Sequence, residues 1–73
     1  MILKIGTKVL HRDLDGNTHI ASIQGLEICR SGEKDGKPVT EVDSADYKDK
    51  RRIVIDLSDN SWCYGNQIVR ILK

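Results

Sequence analysis

Apolar and polar residues alternate with a period of two along most of this chain, the pattern of strands that bury one face. Ile, Val and Thr dominate the apolar runs. Gly or Asp-Gly interrupts them at intervals of about eight to twelve residues, the rhythm of an all-β domain. The C-terminal part is the clearest. Arg51 to Ser58 alternate, Asp59-Asn60 supplies a turn, and Trp62-Cys63-Tyr64 opens a second strand. Gly65-Asn66-Gln67 then breaks the pattern for one helical turn before a last apolar run, Ile68 to Leu72. With Asp59-Asn60 as a two-residue turn, Leu57 faces Trp62, Asp56 faces Cys63 and Ile55 faces Tyr64. Ile53, Ile55, Leu57, Trp62 and Tyr64 then share the core face, and Cys63 falls beside Asp56 on the other. Trp62 is therefore expected to be buried.

The N-terminal part predicts a strand from Leu3 to Arg12 with a bend at Gly6, then a type I′ hairpin turn at Asp15-Gly16. A long strand follows, from Thr18 to Cys29. Ala21 and Ile23 lie on one face and Leu26 and Ile28 on the other, so a bulge at Gly25 is needed to return all four to the core. Residues 30–50 differ: eleven of the 21 are charged, five basic and six acidic, and Gly32, Gly36 and Pro38 interrupt them. This composition predicts a charged loop with a short edge strand at Val39 to Val42, whose neighbouring charges discourage edge-to-edge pairing.

The order of elements resembles an SH3-like barrel of the Tudor and KOW kind. The segments that carry the likeness are KIGTKVLHRDLDGNT for the first strand and loop, IVIDLSDNSW for a strand and turn, GNQI for a 3₁₀ turn, and VRIL for the closing strand. The chain is also similar to small SH3-like proteins of phage and other mobile elements. The resemblance implies one all-β domain over residues 1–73, a small barrel of about five strands with one 3₁₀ turn before the last. Its three aromatics are too few for the methyl-lysine cage of some Tudor domains.

Length and charge narrow the function. A chain of 73 residues forms one domain with a small core, a situation often relieved by a second copy, so a homo-oligomer is among the expected partners. The net charge of +1 lacks the basic excess that gathers nucleic acid. Cys29 and Cys63 form no CxxC pair and read as free thiols of a reducing, cytoplasmic compartment. The opening residues read as a strand rather than a signal peptide, and no apolar run suits a membrane span.

Motifs for chemistry are sparse. His11, Asp13, Asp15 and His19 gather at the first turn, but their spacing matches no zinc motif and reads as surface turn residues. DLDGN has Gln24 where a calcium loop needs Glu. Cys63 has no partner base placed by spacing, and there is no phosphate loop or dinucleotide fingerprint. No catalytic residue, metal or cofactor is expected, and so small a core leaves little room for a ligand pocket. The basic run Lys50, Arg51, Arg52 beside Trp62 and Tyr64 gives a nucleic-acid alternative that Asp43, Asp46 and Asp49 oppose. A further alternative is a nucleotide-like ligand held between identical subunits.

The expected function is non-enzymatic: an accessory or adaptor protein that engages another protein through loops and a sheet edge. Expected contact residues are Glu33, Lys34, Asp35, Lys37 and Tyr47 of the charged loop, Lys50, Arg51 and Arg52, and Trp62 and Tyr64 where their edges reach the surface.

Overall fold

In the computed structural model, residues 1–30 and 36–72 are described, and they form an all-β structure of short antiparallel strands. The strands are β1 (Ile2–Lys4), β2 (Lys8–Arg12), β3 (Thr18–Ile28), β4 (Lys37–Val39), β5 (Glu41–Asp43), β6 (Ile53–Leu57), β7 (Trp62–Tyr64) and β8 (Ile68–Leu72). Three 3₁₀ turns join them, Ser44–Asp46, Lys50–Arg52 and Gly65–Gln67, the last directly before β8 as expected.

The main sheet runs β7-β6-β3-β2-β8, and β4 adds to β3 where β3 has left β2. A separate ribbon of β1 and β5 pairs Leu3 with Val42. Amide bonds from Gly6 to the Ile23 carbonyl (2.8 Å) and from Ile23 to the Thr7 carbonyl (2.9 Å) tie the ribbon to β3. The sheets are not closed into a barrel.

The core fills the space between ribbon and sheet. Leu3, Val9, Ala21, Ile23, Leu26, Val42, Ile53, Ile55, Leu57, Cys63 and Ile68 are buried. The bulge expected at Gly25 is present: the β3–β6 register shifts between Ile23 and Gly25, and Ala21, Ile23 and Leu26 all reach the core. Without it the two-residue period would turn Leu26 to solvent.

Three expectations about the backbone are corrected. The first strand is two, because Gly6 at φ +91° reverses the chain and sends β1 to a different partner from β2. The turn after β2 has positive φ at Gly16 only, whereas a type I′ turn needs it at both central residues. Asp13 and Asn17 close it around a three-residue loop, with the Asp13 amide 2.8 Å from the Asn17 carbonyl. The predicted edge strand at Val39 to Val42 is divided between β4 and β5.

Candidate functional site

The C-terminal hairpin departs most from expectation, and it creates the candidate site. Its loop has three residues, Ser58, Asp59 and Asn60, not two. The Leu57 amide bonds the Ser61 carbonyl at 2.9 Å, the Asn60 amide bonds the Leu57 carbonyl at 3.2 Å, and Asn60 takes φ 67°. Asn is one of the few residues that enter this left-handed region readily. Asp59 locks the loop by accepting the Ser61 amide at 3.0 Å and the Ser61 hydroxyl.

One extra loop residue slides the register by one. Asp56 now opposes Trp62, Ile55 opposes Cys63, and Val54 opposes Tyr64. A slip of one residue exchanges the faces of a whole strand. Cys63 therefore enters the core at 1% exposure, and Trp62, expected in the core, stands 57% exposed on the outer face. Tyr64 shares that face, half-buried, with its ring edge-on to Trp62 at 5.2 Å and 88°.

The register places two rows across this outer face. Tyr64, Val54, Glu27 and Pro38 form one; Trp62, Asp56 and Gly25 form the other. A Cβ at Gly25 would lie 3.0 Å from Asp56 Oδ2, so a larger residue here would push the Asp56 carboxylate aside. The face is thus an aromatic pair at the end of a sheet, flanked by the exposed Asp56 and the half-buried Glu27.

The basic run is held by the protein itself. Lys50 Nζ donates to the Ser44 and Tyr47 carbonyls. Arg52 Nε donates to the Cys29 carbonyl at 2.9 Å while its guanidinium lies 4.9 Å from the centre of the Tyr47 ring. Arg51 donates to both oxygens of Asp49, at 3.1 and 3.3 Å. That ion pair holds the Asp49 carboxyl below its ordinary value of 3.8 and the guanidinium above its own. Tyr47 packs against the core and Lys37 is exposed on β4. Glu33, Lys34 and Asp35 lie outside the described residues.

His11 and His19 oppose each other across β2 and β3, with ring centres 5.4 Å apart. His19 Nε2 lies 2.8 Å from Asp13 Oδ2, and this bond is the main reason that the Asp13 carboxyl sits below 3.8. His11 is not a surface residue as expected, but is 4% exposed, with Nε2 3.2 Å from Asp59 Oδ2. Since an ionised carboxylate only accepts, each imidazole donates from Nε2. The cluster joins the two three-residue loops to each other. Among the described residues no group of three or more His, Cys, Asp or Glu is arranged to hold a metal ion.

Cys63 is a core residue: burial pushes its thiol up to about 12, opposite to the activation that a nucleophile needs. Both cysteines are free thiols. A cleft of about 300 Å³ opens between the β2–β3 loop and the start of β8, lined by Arg12, Asp13, Leu14, Asn66, Gln67, Ile68 and Val69. A core this small predicts little interior room, and the cleft lies between loops instead. Gln67 braces its floor, donating to the Arg12 carbonyl and accepting the Tyr64 amide, both at 2.9 Å. Among the described residues no helix is long and apolar enough to cross a membrane.

No model of a known family matches the chain, and neither curated proteins nor solved structures yield a match.

Proposed function

We propose that this is a non-enzymatic binding module of the SH3-like type that engages a protein partner through the outer face of β6 and β7. The observation that carries the reading is Trp62, a large aromatic 57% exposed and braced edge-on by Tyr64 at the end of the sheet. Trp and Tyr so placed are the residues that most often anchor protein interfaces. The strand order, the bulged β3 and the 3₁₀ turn before β8 support the SH3-like assignment.

The exposure of Trp62 also favours base stacking, and so the nucleic-acid alternative. The charges argue against it. Lys50, Arg51 and Arg52 are each engaged within the protein, and the carboxylates beside Trp62 would repel phosphate. Capture from the native host with wild-type protein and with a Trp62→Ala/Tyr64→Ala variant tests the reading. A protein recovered by the first and lost by the second supports it. Equal recovery by both, or submicromolar oligonucleotide binding at physiological salt, overturns it.

A further inference from the structure

The carboxylate beside Trp62 defines the partner more closely. We propose that this face takes an extended, cationic peptide segment and sets a Lys or Arg side chain between the Trp62 ring and the Asp56 carboxylate. The proposal rests on the protein-binding reading and adds the chemistry of the ligand.

The hydrogen-bond alternation of the hairpin supplies the geometry. Leu57 and Ser61 are bonded through their backbones, so the next pair, Asp56 and Trp62, is a non-bonded one, whose side chains stand closer together. Asp56 is exposed and has no ion-pair partner among the described residues. On its other side is Gly25, which has no side chain to cover it. A cation over Trp62 therefore meets the best aromatic ring for a cation–π contact and an unpaired carboxylate at once. Glu27, in the adjacent row beside Pro38, offers a second carboxylate to a further cation of the same chain.

Other occupants fit less well. Two copies meeting through this face about a two-fold axis would bring Asp56 toward Asp56, like charge to like. Nucleic acid would bring phosphate to the same acids. The edge of β7 is also a poor template for a long added strand. Tyr64 spends its outward amide on Gln67, which leaves Trp62 as the residue with outward backbone groups. Side chains on the face, more than backbone at the edge, must select the ligand.

Trp62 is the single tryptophan of the chain, so its emission reports on this face alone. We would titrate the protein with alternating Lys-Thr, Gln-Thr and Glu-Thr peptides, following emission, in the wild type and in Asp56→Asn, Asp56→Lys and Glu27→Gln. The Lys-Thr peptide should change the emission saturably and the other two should not. Asp56→Asn should weaken binding about three- to fivefold, the scale of one exposed ion pair. Asp56→Lys should weaken it by about tenfold or more through like-charge repulsion, and Glu27→Gln less than Asp56→Asn. Circular dichroism of each variant separates lost binding from lost folding. An equal response to the Gln-Thr or Glu-Thr peptide overturns the proposal, as does full affinity in both Asp56 variants. So does a peptide-free dimer, seen in sedimentation, that shields Trp62. If the Lys-Thr peptide fails while host capture still depends on Trp62 and Tyr64, the cationic assignment falls and the protein-binding reading stands. If that capture is also indifferent to Trp62 and Tyr64, both fall.

Discussion

Trp62 and Cys63 are neighbours in the chain and meet opposite surroundings, one in solvent and one sealed against Ile55. The consequence is a reversed order of mutational costs. Trp62→Ala should lower stability by no more than about 1 kcal/mol, the loss of one exposed aromatic pair. Ile55→Ala should cost about 2–5 kcal/mol, as for any buried aliphatic cut to Ala. Urea denaturation of the two variants checks the order, and a larger loss at Trp62 would return that residue to the core. The thiols should differ as well. Iodoacetamide should label the half-buried Cys29 of the folded protein first and reach Cys63 at a useful rate only after unfolding, since thiolate is the reactive form.

At the scale of elements, loops decide which faces the strands present. The β2–β3 and β6–β7 hairpins use three-residue loops that end on a left-handed residue, Gly16 at φ +88° and Asn60 at φ 67°. Asn60→Gly should therefore be tolerated, whereas Asn60→Ala should cost about 1–2 kcal/mol, the left-handed penalty of a residue with a Cβ and no polar side chain. The joint before β8 has a different constraint. Gly65 lies where a Cβ would come within 2.9 Å of the Lys50 carbonyl and 3.1 Å of Ile53 Cβ. Gly65→Ala should cost about 1–3 kcal/mol by overpacking, read as a lower urea midpoint. These joints show where the sequence was legible. The bulge at Gly25 could be read because four apolar residues change parity across it. The loop length at Asp59 could not, because two- and three-residue readings both give alternating strands.

Across the whole molecule, the carboxylates that titrate low cap or close loops and 3₁₀ turns, and stability should follow their titration. Asp13, Asp43, Asp49 and Asp59 all titrate below 3.8 when folded, held there foremost by His19, the Ala45 amide, Arg51 and the Ser61 hydroxyl respectively. A lowered carboxyl means that the unfolded chain takes up protons first, so stability is present above 3.8 and falls as pH drops below it. Cys63 gives the opposite limb. Its thiol moves from 9.0 to about 12 on folding, so the unfolded chain ionises first and stability falls as pH rises above 9.0. Urea midpoints across pH should therefore form a plateau between these limits, and Cys63→Ala should flatten the alkaline side.

The sequence by itself determined the all-β class, the positions of β3, β6, β7 and β8 and the bulge in β3, because alternation, β-branched residues and turn chemistry are local properties. It also marked Trp62 and Tyr64 as sharing a face, since residues two apart on a strand must. Tertiary structure alone decided which face that is. The choice depended on one loop residue that joins two strands, and on a core already filled by Ile53, Ile55, Leu57 and Leu26, which accepted the small Cys63 in place of Trp62. The same long-range closure buried His11 against Asp59, 48 residues away, and set Arg52 on the Cys29 carbonyl, 23 residues away. Period and composition carry no information about pairings so distant in the chain, because those are fixed only when the strands close on a common core.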